Sequence, residues 1–421
     1  MCALESGPKS GEGASRRGKG DARSPPVTAS SMAPLARTPG NSGVSFLGVL
    51  SEGSTVPLDT DVPMNSKPPW LDEDLLRKGR EFATKYLFAV VSTQVPALAM
   101  IFSFQSGLEP LIFTGKSDTP YKAYRRYLST VCRIMSWYET DFFDKKSEGY
   151  RSMAAVRIMH ASVFKKMNEA SREELRSKTT VTGRETGVWS THLEVLKKDF
   201  AEMDVDESIC PFAGLSTASK EHGEFVFVNQ LDLAFTQFGF VALPILYPEY
   251  FGIHGATKEH LEGYCHLWRC VGYLLGIKDR YNICSGDGLD ATRERCRAIV
   301  EKWVKPGFRG LTPDWEHMYR CVLEGLNYYG GFNTFGGMIA YLMWVLGIPV
   351  PHLRSIMTWM ETATFYAQWF IFRFLLTIPG ARAILNYILR LNFKRALNVS
   401  PAWLQRKKEI IYDYERLSDK I

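Results

Sequence analysis

The sequence of 421 residues lacks closely spaced cysteines. Its eight cysteines are scattered, no Cys-x-x-Cys pair occurs, and no signal-peptide pattern opens the chain. Zinc sites need closely spaced ligand pairs, and small secreted scaffolds are dense in disulfides. The pattern argues against both, so we expect an intracellular protein whose thiols are reduced and mostly buried.

Common catalytic signatures are also missing. The chain has no G-x-S-x-G, no Walker phosphate loop, no H-E-x-x-H and no Rossmann glycine string. Hydrolase and nucleotide-binding functions therefore lose their usual support.

A basic stripe with interleaved aromatic residues is the third feature that the sequence lacks. The net charge of +6 comes largely from short clusters, such as those at residues 16–19 and 406–408. Proteins that bind nucleic acids concentrate Lys and Arg on one face, so we expect no nucleic-acid partner.

Apolar residues, in contrast, are abundant: they make up 45% of the chain, and aromatic residues make up 13%. This is enough to bury a large core and to leave apolar surface for a membrane or an apolar ligand. Apolar residues recur at helical spacing over residues 121–138, 153–167 and 259–275, and almost no segment alternates as a strand would. The pattern predicts an all-α protein.

The domain organisation follows from local composition. Residues 1–66 are rich in Ser, Gly, Pro and Thr without an apolar period, which predicts a disordered basic tail. Residues 67–400 are predicted to form one large helical domain. Within it, residues 168–223 are charged and weakly periodic, which predicts a mobile insertion. Residues 401–421 are predicted to form a C-terminal helical extension.

An uncharged run covers residues 86–108, between Lys85 and Glu109. About 20 apolar residues suffice to span a bilayer. This run, however, also contains polar residues such as Gln94 and the helix breaker Pro96. The sequence leaves three interpretations open: a transmembrane helix, a buried hairpin and a monotopic membrane contact.

His160 lies in an apolar helical segment, on the same side as Val156, Val163 and Phe164 by three-and-four spacing. One interpretation is a core histidine that bonds to a backbone carbonyl. The other is an axial haem ligand, which needs a neutral imidazole held rigidly beside an apolar slot. The residues alone leave both open.

Arg126 and Thr130 lie four residues apart and are therefore neighbours on one helical face. On their own, Arg125 and Arg126 fit surface charges as well as a functional site.

Several short motifs in this order resemble the family of the ER-bound oxygenase mpaB and the rubber oxygenases (latex clearing protein). The resemblance covers roughly residues 69–390. The motifs that carry it are Pro120, Arg126-x-x-x-Thr130, Arg157-x-x-His160, Leu233-Ala-Phe-Thr236-Gln-Phe-Gly-Phe240 and Trp268-x-x-x-Gly272-x-x-Leu275-Gly276-Ile277.

The resemblance implies an all-α, globin-like fold that holds haem b and cleaves carbon–carbon double bonds in long isoprenoid chains. It implies that His160 is the proximal iron ligand and that Arg126 and Thr130 lie on the distal side. Arg157, from the same motif as His160, is expected to contribute to cofactor binding. Should His160 not bind the iron, His266 is the next candidate.

Two positions depart from the family pattern. Ser129 stands where rubber oxygenases carry a lysine before the distal threonine, so no lysine is available there to cap the iron. Ala234 stands where many bacterial relatives have a histidine.

The predicted function is a haem-dependent oxygenase that cleaves or oxidises an apolar, isoprenoid or lipid-like substrate at an intracellular membrane such as the endoplasmic reticulum. The alternatives are a non-catalytic, membrane-associated helical protein that binds an apolar ligand without haem, and a multi-pass membrane protein.

Overall fold

The regular secondary structure is helical throughout the part of the chain that the structure describes. The computed structural model describes residues 41–59, 61–181, 192–204, 226–286, 288–328 and 332–399. These residues form no strand, and their single β-bridge joins Pro57 to Asn229. The predicted all-α class is confirmed. The α-helices are α1 (Asn41–Glu52), α2 (Glu73–Lys85), α3 (Leu87–Phe102), α4 (Gln105–Phe113), α5 (Pro120–Glu139), α6 (Glu148–Glu169), α7 (Arg172–Lys178), α8 (Leu193–Ala201), α9 (Gln230–Leu246), α10 (Lys258–Leu274), α11 (Gly288–Ile299), α12 (Lys305–Gly307), α13 (Pro313–Asn327), α14 (Phe335–Leu346), α15 (Pro351–Ile356), α16 (Trp359–Arg373) and α17 (Ala381–Leu397).

The centre of the core is built on α3 and α9. Both helices are apolar on most of their circumference, pack against each other, and are largely buried. A helix that is apolar all round is stable only when other elements cover it. No single described helix is long and apolar enough to cross a bilayer, whereas α2 and α3 together meet the criterion but are bent by 84°.

The predicted disordered tail extends too far along the chain, because α1 lies inside it. Phe46, Leu47 and Leu50 form one buried stripe on α1, which packs against α11. The segment that follows is also held, since the Asp59 amide donates to the Gly276 carbonyl at 3.0 Å. Three apolar residues among Gly and Ser were too weak a pattern to predict this helix. The rest of the predicted tail, residues 1–40, lies outside the described residues.

Truncating Leu50 should therefore destabilise the protein. Its side chain is fully buried, and Leu→Ala at such a position costs about 2–5 kcal/mol in unfolding free energy. Urea unfolding of Leu50→Ala should reveal this loss, whereas Ser45→Ala on the exposed side of α1 should change little. Equal stability of the two variants would contradict the packing of α1.

The predicted mobile insertion, residues 168–223, contains two ordered helices, α7 and α8. Leu193, Leu196 and Phe200 of α8 are buried at helical spacing, while the charged residues that obscured this pattern lie on the outer face. Asp199 of the same helix accepts the backbone amides of His352 and Leu353 at 2.8 and 2.9 Å. Residues 182–191 and 205–223 of the predicted insertion, and the predicted extension 401–421, lie outside the described residues.

Candidate active site

The residues singled out from the sequence lie on two helices that pack against each other. Arg126 and Thr130 belong to α5, which begins at Pro120 after the Thr119 cap. Arg157 and His160 belong to α6. The two helices contact each other along their length, so the fold brings together the residues that the sequence separates by about thirty positions.

His160 is desolvated but not fully covered. Burial is the larger of two effects that together lower the pKa of its imidazole to about 4, and the positive charge of Arg126 is the other. Part of the side chain nevertheless remains accessible to solvent. A partly accessible imidazole that is crowded by protein favours its neutral form, because protonation would place a charge where water solvates it poorly. Arg126 lies close enough to act on this imidazole electrostatically.

The ring nitrogens of His160 are unusual for a core histidine. The Nδ1 atom is buried and has no hydrogen-bond partner, and no described residue bonds to either nitrogen. An unpaired polar atom in the interior costs free energy unless a ligand satisfies it. The backbone-bonded core histidine, one of the two interpretations of the sequence, is therefore not what the described residues form.

Tyr127 is a neighbour that the sequence analysis missed. It is partly accessible, burial raises the pKa of its phenol, and the Arg126 charge opposes that shift. A hydrogen bond with Ser117 opposes the shift as well. We use the name α5–α6 recess for the partly accessible region around Arg126 that includes Tyr127 and His160. The only signal in the sequence that could have pointed to Tyr127 was its position directly after Arg126.

Arg126 has no carboxylate partner among the described residues. Its Nη1 atom donates to the hydroxyls of Ser117 at 3.2 Å and Thr114 at 3.4 Å. The Thr130 hydroxyl donates to the Arg126 backbone carbonyl at 3.0 Å, which leaves its oxygen able to accept. A guanidinium without an acid beside it is suited to hold an anion or a developing negative charge.

Arg157 is almost completely buried, and its Nη1 atom has no partner in the described residues. It lines a cleft of about 390 Å³ between α6 and residues 61–64; Ala154, Ile158 and Ala161 complete the α6 side. The lining includes Arg157 but not His160, so the two residues lie on adjacent faces of α6. Because a buried cation needs a counter-charge, Arg157 is a second position suited to an anionic group.

His266, the reserve iron ligand from the sequence, has another role. Its Nε2 atom accepts the Asp72 backbone amide at 3.1 Å at the start of α2, and its ring packs edge-on against Trp70. The nitrogen that would bind a metal is therefore occupied. His266 joins α10 to α2 and does not compete with His160.

A pair of acidic residues, Glu109 on α4 and Asp232 on α9, was also missed by the sequence analysis. Asn229 and Asp232 form a reciprocal helix cap, which is how the sequence alone would explain this aspartate. Burial, with a smaller contribution from the charge of Glu109, raises the pKa of Asp232 to about 7. The Oδ1 atom of Asp232 has no partner among the described residues. The helix of Glu109, α4, contacts both the helix of Asp232, α9, and the helix of His160, α6.

The Asp232→Asn variant should become more stable relative to the wild type as the pH rises. In the folded protein Asp232 keeps its proton up to a pH of about 7, whereas in the unfolded chain the carboxyl loses its proton near its ordinary pKa of 3.8. Between these values the folded state binds more protons, so wild-type stability falls as the pH rises. An asparagine has no such charge to bury.

The relative gain between pH 4 and pH 8 is expected to be on the order of 1–3 kcal/mol, measured by urea unfolding. The matched control is Asp290→Asn. Lys258 lowers the pKa of this exposed carboxyl, so its removal acts with the opposite sign. A relative stability of Asp232→Asn that does not change with pH would contradict the raised pKa.

The residues of this site fit a haem better than they fit a bare metal ion. The described residues contain no group of three or more His, Cys, Asp or Glu side chains that would hold a bare ion. A haem brings four nitrogen ligands of its own and takes one axial side chain from the protein. The neutral, unbonded His160 fits that role, and the buried Arg157 fits a carboxylate of a haem. One feature departs from the usual pattern: His160 Nδ1 lacks the acceptor that most metal-bound histidines have.

Comparisons with known proteins give one match. No protein-family model matches the chain, and no curated protein matches it. A solved structure of latex clearing protein, in the closed state, aligns with 83% of this chain and 84% of its own, at 14% sequence identity and a TM-score of 0.41.

Proposed function

We propose that this protein is a haem-dependent oxygenase that acts on an apolar substrate. The observation that carries the proposal is the state of His160: within the described residues its imidazole is neutral and has no hydrogen bond, and it lies near an arginine that no described acid neutralises. The order of motifs around Arg126, Thr130, Arg157 and His160 supports the same function. Haem b, when bound, would supply the redox chemistry that the reaction with dioxygen requires.

Each residue has a role that its surroundings allow. His160 would hold the iron as a neutral donor. Arg126 would stabilise negative charge that develops in the recess, and the Thr130 oxygen would accept or relay a hydrogen bond there. Arg157 would bind a carboxylate of the cofactor. The apolar helices around the recess would exclude water, which strengthens these interactions.

The substrate class that we propose is isoprenoid or lipid-like, and the location is an intracellular membrane such as the endoplasmic reticulum. The motif resemblance and the large apolar fraction of the chain support this assignment. A water-insoluble substrate is most readily taken up by an enzyme that contacts the membrane in which it dissolves.

The absorption spectrum of the purified protein tests the cofactor. We expect a Soret band with about one haem per chain after expression with a haem precursor. Uptake of dioxygen on addition of squalene, a small isoprenoid hydrocarbon used as the probe, then tests the reaction.

A non-catalytic protein that binds an apolar ligand is the second candidate. The missing acceptor for His160 Nδ1 favours it, because most metal-bound histidines have one. A colourless protein that folds normally and takes no haem in titration would support this candidate and overturn the oxygenase.

A further inference from the structure

The outer faces of α16 and α17 expose large apolar side chains. Among the described residues, eleven of the fourteen exposed large apolar side chains lie in the segment 356–397. They are Ile356, Trp359, Met360, Tyr366, Phe370, Phe374, Ile378, Ile384, Tyr387, Ile388 and Leu397. An apolar concentration of this kind on a protein surface marks a contact with a partner or a membrane. We refer to these side chains together as the α16–α17 surface.

The exposed residues follow helical spacing. On α16, Trp359, Tyr366 and Phe370 lie seven and four residues apart, and Trp359 is 77% exposed. On α17, Ile384, Tyr387 and Ile388 are separated by three and one, and Tyr387 is 66% exposed. Residues at these spacings share one face of a helix. Each helix therefore carries an apolar stripe that points away from the protein.

The opposite faces of the two helices are anchored. The Glu361 carboxylate of α16 accepts a hydrogen bond from the Gly336 backbone amide at 2.9 Å. Burial raises the pKa of this carboxyl, but hydrogen bonds, chiefly from His192, outweigh burial and lower the pKa to about 2. Asn386 of α17 accepts the Phe88 amide at 2.8 Å and donates to the Lys85 carbonyl at 2.9 Å. The inner faces are thus already used, and the outer stripes are left for another partner.

Charge identifies that partner. Residues 356–399 contain one acidic residue, the buried Glu361, and five basic ones: Arg373, Arg382, Arg390, Lys394 and Arg395. Arg373 and Arg390 pair with acids outside the segment, whereas Lys394 and Arg395 are exposed at the end of α17. A second copy of this chain would oppose these positive charges with its own. Anionic phospholipid headgroups complement them.

We infer that the α16–α17 surface binds an anionic phospholipid bilayer, with both helices lying in the headgroup region. The aromatic side chains Trp359, Tyr366 and Tyr387 suit this layer, because their rings are apolar and their polar atoms reach water. The inference rests on the membrane association within the proposed function and identifies the surface responsible. It does not depend on the haem.

Flotation of the full-length protein with vesicles tests the surface. One set of vesicles contains phosphatidylcholine alone, and the other contains phosphatidylcholine with about 30% of the anionic lipid phosphatidylserine. We expect the wild type to float with the anionic vesicles and less with the neutral ones, and added salt to weaken binding. The Trp359→Ser/Tyr387→Ser variant should bind about tenfold less.

Two further variants separate the contributions. Lys394→Glu/Arg395→Glu should lose binding to anionic vesicles while keeping the weaker binding to neutral ones. Phe332→Ser, at an exposed aromatic residue outside the surface, should float like the wild type. Circular dichroism establishes that each variant is folded.

Three outcomes would overturn the inference: wild-type flotation by the surface variants, no flotation of the wild type, or a wild-type dimer that the surface variants convert to a monomer. The haem test is separate. A wild type that shows a Soret band but does not float would overturn the membrane-binding inference and leave the haem-dependent function intact. A colourless protein that floats through this surface would overturn the haem-dependent function and leave the membrane-binding inference intact.

Discussion

The His160→Ala variant should purify largely free of haem. If the imidazole binds the haem iron, its removal deletes the bond that fixes the iron and leaves a cavity beside the haem. The chain should still fold, because the loss of one imidazole from a large core costs only about 1–3 kcal/mol. The measurement is the ratio of Soret to protein absorbance, with far-UV circular dichroism to establish folding. Added imidazole is expected to restore part of the spectrum by entering the cavity.

The same variant has a second readout that needs no haem. In the folded apoprotein the pKa of His160 is about 4, whereas in the unfolded chain it is near the ordinary imidazole value of 6.5. Between these values the unfolded state binds more protons, so wild-type stability falls as the pH falls. This part of the acid destabilisation should be absent in His160→Ala.

Two controls accompany His160→Ala. Met159→Ala changes the exposed neighbour on α6 and should retain the Soret band. His266→Ala removes the partner of the Asp72 amide, so it should lower stability but keep the haem. His192 is unsuitable as a control, because its side chain is buried and contacts Arg320 and Glu361. A wild-type Soret band at full occupancy in His160→Ala would refute the ligand assignment.

The Arg126→Ala variant should keep its haem but lose much of its activity. A cation in the recess acts on negative charge that develops there and not on the attachment of the iron. We expect the affinity of the ferric protein for cyanide, used as an anionic probe, to fall by at least about tenfold. Squalene-dependent uptake of dioxygen should fall in parallel, with haem content close to that of the wild type.

Arg125→Ala is the matched control for this prediction. Arg125 is exposed on the same helix and should leave both cyanide binding and oxygen uptake unchanged. Loss of haem together with activity in Arg126→Ala would contradict a role in charge stabilisation. It would instead make Arg126 a binding partner of a cofactor carboxylate.

Part of the candidate site was predictable from the residues, and part was not. The helical location of Arg126 and His160 followed from local spacing, whereas only the structure shows that their two helices pack against each other. Tyr127 and Asp232 were missed because nothing local distinguishes a tyrosine in a helix, or an aspartate in a capping box, from its ordinary use. Their shifted pKa values arise from atoms of other helices.

The sequence by itself determined the helical class, because the spacing of apolar residues and the turn residues that end each helix are local properties. It also placed Arg126, Thr130, Arg157 and His160 on helices. Only the tertiary structure decided that residues 41–59 belong to the core, that His266 is engaged by α2, and that two helices present apolar faces outward. Burial and unsatisfied hydrogen bonds depend on which distant segments cover a side chain, and that information does not lie within a single stretch of sequence.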